Sequence, residues 1–190
     1  MEKIYLITSN QWKVESFKKI LKDKNFENIS IEIYNWDYPE IKEEWTTIQV
    51  VLEWAKYCSN KYNKNVLVQD TGLFINKLNW FPWVNTKFCL EKIWNEWILK
   101  LMDWMKNREA EWIFSLWYCK IWWEPVEFTG ILKWYISEKI KWSLWFWFDE
   151  IFIPEWYDIT FWENPDLRDK LSPFNLTIEK LIFYLKSKKL

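Results

Sequence analysis

Only two glycines, Gly72 and Gly130, stand in a chain of 190 residues that holds 19 tryptophans. That imbalance constrains every turn the chain can make. Glycine takes positive φ at little steric cost, whereas a bulky side chain in that region is an outlier. A domain of this length ordinarily carries roughly 7% glycine, or about 13 residues. Tryptophan instead occupies segments that read as turns, as in Asn79-Trp80-Phe81-Pro82-Trp83 and Trp145-Phe146-Trp147. A fold built from this chain must turn on other residues or place an indole where glycine belongs.

The rest of the composition is that of a globular protein, with 50% hydrophobic and 28% charged residues. The length suits one domain over 1–190, or one domain of two lobes, and is enough to bury a core. A net charge of −1 supplies no positive field for nucleic acid. Met1 leads straight into a strand-like segment, with no basic and apolar leader and no apolar run that could span a bilayer. The expectation is a soluble, cytoplasmic protein with neither a membrane nor a nucleic-acid partner. Cys58, Cys89 and Cys119 are odd in number, widely spaced and unaccompanied by histidine. They read as reduced, partly buried thiols rather than a disulfide framework or a zinc site.

Periodicity organises the chain. Lys3 to Thr8 is an apolar run that suggests a buried strand, and Val14 to Lys24 repeats apolar residues at helical spacing. Ile29 to Tyr34 alternates as a strand, and Thr46 to Tyr62 reads as a helix capped by Thr46 or Thr47. Val66 to Val68 is a short strand leading into Gln69-Asp70-Thr71-Gly72, and Leu90 to Met105 reads as a helix. Trp112 to Ile121 and Val126 to Ile136 form a predicted hairpin, Phe148 to Ile153 a last strand, and Asn175 to Leu185 a closing helix. Strands alternating with helices, followed by a β-rich stretch, predict an α/β protein with a mixed sheet.

Four segments can carry chemistry. Thr8-Ser9-Asn10-Gln11-Trp12-Lys13 joins a strand to a helix, where backbone N–H groups and the helix dipole favour anions and Lys13 adds a charge. By itself it reads equally as an N-capping turn with a solvated lysine. In Gln69-Asp70-Thr71-Gly72, a carboxylate at a strand end could hold Mg²⁺ and orient a water, or merely make its own turn. Tyr38-Pro39-Glu40-Ile41, with Glu43 and Glu44, offers a second acidic ligand or a solvated face. In Trp145-Phe146-Trp147-Phe148-Asp149, aromatics beside a carboxylate could hold a base or pack a core.

The order of these segments is more specific than any one of them. Thr-Ser-Asn-x-x-Lys at 8–13, Tyr-Pro-Glu-Ile at 38–41, Asp-Thr-Gly-Leu at 70–73 and Leu-Asn-x-Phe-Pro at 78–82 come in turn. Asn-Glu at 95–96, Phe-x-Phe-Asp at 146–149 and Ile-Phe-Ile-Pro-Glu at 151–155 complete the series. Together, over about residues 3–163, they resemble the inosine-triphosphate (non-standard purine nucleoside triphosphate) pyrophosphatases. The resemblance implies a long twisted mixed sheet flanked by helices, two lobes with a central cleft, and a homodimer. It implies Mg²⁺-dependent attack at the α-phosphorus of ITP, dITP or XTP, releasing monophosphate and pyrophosphate. Thr8, Ser9, Asn10, Lys13 and Thr71 would contact the phosphates, with Lys13 and Asp70 catalytic. Glu40 and Asp70 would bind the metal, and Asp70 would also accept the proton of the attacking water. Phe146, Trp147, Phe148 and Asp149 would hold the base, and Arg168 or Lys170 would supply a cation. Two other readings are a catalytically weak nucleotide binder and a tryptophan-rich stacking module for sugars or single-stranded nucleic acid.

Three departures from the family pattern stand out. Gln69 occupies a usually acidic position, and Pro173-Phe174 replaces a His-Arg pair that contacts the nucleotide. The third is that Trp12, Trp80, Trp83, Trp94, Trp97, Trp117, Trp145 and Trp147 fall where such proteins commonly have glycine. Each would overpack a tight turn at roughly 1–3 kcal/mol, and several would exceed the roughly 5–15 kcal/mol that holds a domain folded. Some genetic codes read UGA as glycine and others as tryptophan, and the wrong table would give this pattern. The excess of lysine over arginine, with Ile, Asn, Phe and Tyr abundant, suits an AT-rich gene in which UGA would be favoured. The expectation is that most of these tryptophans stand for glycine, with Trp112 a true aromatic position.

Overall fold

The computed structural model describes residues 2–8, 10–26, 29–34, 46–141 and 147–188. In chain order the elements are β1 (Glu2–Ile7), α1 (Gln11–Asp23), β2 (Ile29–Tyr34), α2 (Thr47–Tyr62) and β3 (Val66–Ile75). A 3₁₀ turn (Asn76–Leu78), β4 (Pro82–Trp83), α3 (Thr86–Leu101), β5 (Glu109–Cys119) and β6 (Val126–Ile136) follow. The chain closes with β7 (Phe152–Pro154), α4 (Pro165–Leu171) and α5 (Pro173–Ser187). The sheet is mixed, as expected: β1 is parallel to β2 and β3, whereas β4 is antiparallel to β3 and β7 to β6. Its strand order is β2-β1-β3-β5-β6-β7, with β4 paired to β3 off that path.

The chain forms two compact units, one of residues 1–70, 114–130 and 174–190, the other of 71–113 and 131–173. In the first, alternation along β1 sends successive side chains to opposite faces. Ile4 and Leu6 join Val14 and Phe17 of α1 and Phe174 and Ile178 of α5, while Tyr5 and Ile7 join Val51 and Ala55 of α2. Phe174 meets Phe114 edge-on at 4.8 Å and Phe17 at 6.2 Å between ring centroids. Helix α2 begins where its sequence predicts, because Thr46 accepts from the Gln49 N–H while the Gln49 side chain accepts from the Thr46 N–H. It ends on Asn63 in the left-handed conformation, whose N–H donates to the Ser59 carbonyl.

In the second unit Leu73 and Ile75 of β3 pack with Leu90 and Ile98 of α3, Trp134 and Ile136 of β6, and Phe148, Phe152 and Phe161. Two polar side chains tie its loops down. Thr86 Oγ1 accepts from the Leu73 N–H at 2.8 Å and donates to the Trp83 carbonyl at 2.7 Å. Arg108 donates to the carbonyls of Ile136, Met102 and Ser137 at 2.6, 3.0 and 2.7 Å.

Several boundaries correct the sequence reading. β3 runs straight through Gln69-Asp70-Thr71-Gly72 to Ile75, so Asp70 makes no turn; neither glycine of the chain has positive φ. Helix α3 starts at Thr86 rather than Leu90 and ends at Leu101. The last strand is confined to Phe152–Pro154, because residues 147–150 form a turn. Of the eight tryptophans singled out, Trp80, Trp83, Trp94 and Trp147 have positive φ. Trp12, Trp97 and Trp117 lie in α1, α3 and β5 and occupy no tight turn, and Trp145 lies outside the described residues. All three cysteines are free and buried. Burial pushes the Cys58 thiol up to about 12 and that of Cys89 to about 11, and Cys119 moves the same way for the same reason.

Candidate functional site

The segment after β1 and Gln69-Asp70 meet within the first unit because β1 and β3 are parallel neighbours. Their register, Tyr5↔Val66, Leu6↔Leu67 and Ile7↔Val68, ends both strands' shared ladder at one level. The loop after β1 therefore leaves the sheet beside Gln69 and Asp70. In that loop Asn10 caps α1: its Oδ1 accepts from the Lys13 N–H at 3.4 Å, and its own N–H donates to Thr8 Oγ1 at 3.1 Å. The capping reading is thus correct for Asn10. Lys13 is not merely solvated, since its Nζ donates to the Gln69 carbonyl at 3.5 Å, 56 residues away in sequence. Ser9 and Glu40 lie outside the described residues, as does Phe146.

Strand β3 marks the same place by its exposure. Of its ten residues only Asp70 and Thr71 are not fully buried. Successive strand residues face opposite sides of a sheet, so the partly exposed Asp70 carboxylate and Thr71 hydroxyl project to opposite faces of a strand that is otherwise buried. The sequence alone distinguishes them poorly from a turn.

Trp147, Phe148, Asp149 and Arg168 lie in the second unit. Asp149 is 7% exposed, and the Arg168 guanidinium of α4 donates to its Oδ2 at 2.9 Å. Burial raises the Asp149 carboxyl to about 6, and the adjacent arginine offsets only part of that rise. Arg168 is thus the cation that meets Asp149; Lys170, two residues along the same helix, is exposed. Phe148 does not meet the expectation of holding a base. It is 3% exposed and stacks on Phe152 at 5.2 Å with an interplanar angle of 17°, so its ring belongs to the core. Trp147, half-buried, opens the turn with φ 56.

Asn95 is a residue to which sequence reasoning gave no role. It is buried in α3, and its Nδ2 donates to the Trp147 carbonyl and to Glu150 Oε2, both at 3.0 Å. One amide thereby fixes both ends of the turn that presents Asp149. Its only signal in sequence was its place in the Asn-Glu pair at 95–96. Phe174 is buried in the first unit's core and offers no polar group in place of the missing His-Arg pair. No group of three His, Cys, Asp or Glu side chains among the described residues could enclose a metal. No helix among them is long and apolar enough to cross a membrane.

Comparison with known proteins supplies the context for these two clusters. The sequence profile of the Ham1 family matches residues 4–183. The dITP/XTP pyrophosphatase of Methanopyrus kandleri is 37% identical over 161 residues, covering 85% of this chain and 84% of that protein. The dITP/XTP pyrophosphatase of Methanosarcina acetivorans is 31% identical over 189 residues, covering 99% of this chain and all of that one (100%). Among solved structures, a HAM1 protein from Coxiella burnetii superposes with a TM-score of 0.84 over 98% of this chain and 100% of its own, at 20% identity. The Staphylococcus aureus Ham1 protein gives 0.80 over the same 98% and 100%, also at 20% identity. At those identities the two structures speak for the fold alone.

Proposed function

The chain belongs to the Ham1 family, and on that premise we infer that it is a nucleoside triphosphate pyrophosphatase acting on non-standard purine nucleotides such as ITP, dITP and XTP. The products are the nucleoside monophosphate and pyrophosphate. The observation that carries this reading is Lys13 Nζ at 3.5 Å from the Gln69 carbonyl, next to the half-buried Asp70. An ammonium and a carboxylate where the parallel ladder of β1 and β3 ends would supply charge stabilisation and a proton acceptor for attack at phosphorus.

The roles follow the chemistry of each group. Thr8, Ser9, Asn10 and Thr71 contact the phosphates, and Lys13 offsets charge that grows on their oxygens. Asp70 accepts the proton of the attacking water. Asp149, neutralised by Arg168, offers its carboxyl to the base, with Phe146 and Trp147 as apolar neighbours and Lys170 as an outlying cation. Mg²⁺ keeps several waters and is usually held by one or two carboxylates together with substrate phosphates. One half-exposed carboxylate, Asp70, beside an uncharged Gln69 suits such a substrate-borne ion. Asp70 with Glu40 would hold it, and it would supply neutralisation of the phosphate charge. We further propose a single functional domain over 1–190, a homodimer and a cytoplasmic location, where free nucleotides are the substrate pool.

The test is pyrophosphate release with Mg²⁺ from ITP, XTP, dITP, dUTP and ATP, with Asp70→Asn alongside and light scattering for the dimer. Selective turnover of ITP, dITP or XTP that is lost in Asp70→Asn supports the reading. A folded protein that turns over none of them sinks it and leaves a nucleotide-binding role.

A further inference from the structure

Ten non-glycine residues among those described have positive φ: Asn25, Asn63, Asn79 and seven tryptophans. The tryptophans are Trp80 (φ 70), Trp83 (61), Trp94 (53), Trp104 (69), Trp122 (63), Trp147 (56) and Trp156 (74). The asparagines need no special account, because a short polar side chain tolerates the left-handed region. An indole does not, and a bulky residue there is a genuine outlier. One such residue in a protein can be a functional strain. Seven of a single residue type, with no positive-φ glycine beside them, amount to a substitution rule.

Each lies where backbone geometry asks for glycine. Trp104 follows α3, Trp122 sits in the β5–β6 turn, Trp147 opens the turn before β7, and Trp156 follows β7. Trp94 interrupts α3 with φ 53 and ψ 172, at the edge of a region that is essentially glycine-only. Several rings do no packing that could offset the backbone cost, Trp104, Trp156 and Trp122 being 100%, 90% and 83% exposed. A tryptophan at ordinary φ behaves differently. Trp134 is 1% exposed at ordinary φ and packs against Phe152, Phe161 and Trp112 with centroids 4.5, 4.7 and 5.4 Å apart. The anomaly follows positive φ, whether in a turn, at Trp83 of the two-residue β4 or at Trp94 within α3, and it includes Trp104, Trp122 and Trp156, which the sequence pattern alone does not single out.

We infer that the polypeptide as its own cell makes it carries glycine at these seven positions, each encoded by UGA in a code that assigns that codon to glycine. Codon assignment explains how one residue type is exchanged at scattered positive-φ positions at once, which chance substitution does not. It also takes the glycine count from two to nine, nearer the roughly 13 that such a chain ordinarily has. The inference rests on backbone dihedrals and is independent of the pyrophosphatase reading.

Two measurements test it. The first is the codon at each of the seven positions together with peptide masses of the protein isolated from its source cells. UGA codons, with peptides lighter by an indolylmethyl group less one hydrogen at each position, are expected. UGG codons, or tryptophan found in most of those peptides, overturn the inference. The second compares the thermal midpoint of the chain as written with that of a chain carrying Trp80→Gly, Trp83→Gly, Trp94→Gly, Trp104→Gly, Trp122→Gly, Trp147→Gly and Trp156→Gly together. A rise of more than about 10 °C is expected, and an equal or lower midpoint overturns it.

Discussion

The two units of this chain solve the same problem, turning a backbone around a sheet, with different residues. The first turns on Asn25 and Asn63 and contains one positive-φ tryptophan, Trp122. The second contains Asn79 and the other six. The proposed catalytic pair, Lys13 and Asp70, belongs to the first unit and rests on a cap and a parallel register that its residues naturally form. The proposed base-side pair, Asp149 and Arg168, belongs to the second and is presented by a turn that begins on a strained Trp147. The proposed function thus assigns chemistry to the relaxed unit and base recognition to the strained one. Substitutions in the two should therefore differ in kind as well as in size.

The largest difference is expected from paired carboxamide substitutions. Asp70→Asn keeps the shape of the side chain and removes the proton acceptor, so kcat for ITP should fall about a thousandfold. Asp149→Asn should change KM and the preference among bases while kcat falls less than about tenfold. Steady-state kinetics on both variants would check this. Comparable losses of kcat would erase the division of labour.

Core truncation comes next. Phe174 seals the first unit against Phe17 and Phe114, and Phe148 stacks on Phe152 in the second. Each cut to alanine should cost about 3–5 kcal/mol in urea denaturation. Phe148→Ala with an unchanged urea midpoint and a raised KM would instead make Phe148 the ring that holds the base.

The same contrast explains what could be read from sequence. Residues 3–8, 29–34 and 46–62 follow simple apolar periods, and their elements appear almost where predicted, down to the capping box at Thr46. Asp70 reads from the sequence as following a strand, because a Gly after Asp-Thr signals a turn, whereas here both lie within β3. Phe148 was assigned to a strand and to the base, because a run of aromatics looks alike whether it packs inward or outward. Asn95 had no role because its two partners lie 52 and 55 residues further along the chain. The ion pair of Asp149 with Arg168 joins a turn to a short helix that periodicity did not reveal.

That ion pair gives the base-side unit a pH dependence. The Asp149 carboxyl rises from an ordinary 3.8 to about 6, chiefly through burial, with Arg168 opposing the rise. A raised folded value means that its contribution to stability is fully present below about pH 4 and is lost as pH climbs through about 6. Stability of the parent relative to Asp149→Asn should therefore fall between about pH 4 and pH 7, and KM for ITP should show a step near pH 6 that the variant lacks. Urea titrations and a pH series of KM on both proteins measure this. A flat difference across that range would mean that Arg168 holds the carboxylate ionised throughout.

The smallest expected effect isolates the turns themselves. Trp104, at φ 69 and fully exposed (100%), gains nothing from packing, so Trp104→Gly changes little besides the cost of an indole in the left-handed region. Relief of that cost, less the added freedom of glycine in the unfolded chain, should stabilise by about 1 kcal/mol. Asn63 at φ 53 caps α2 with its N–H on Ser59, a geometry asparagine tolerates, so Asn63→Gly should stay within about 0.5 kcal/mol of the parent. Urea midpoints at constant slope would compare them directly. A gain at Trp104 without one at Asn63 locates the strain in the residue rather than in the turn. Equal changes at both sites would mean that glycine has a general effect on this chain, and the contrast between its two units would lose its physical basis.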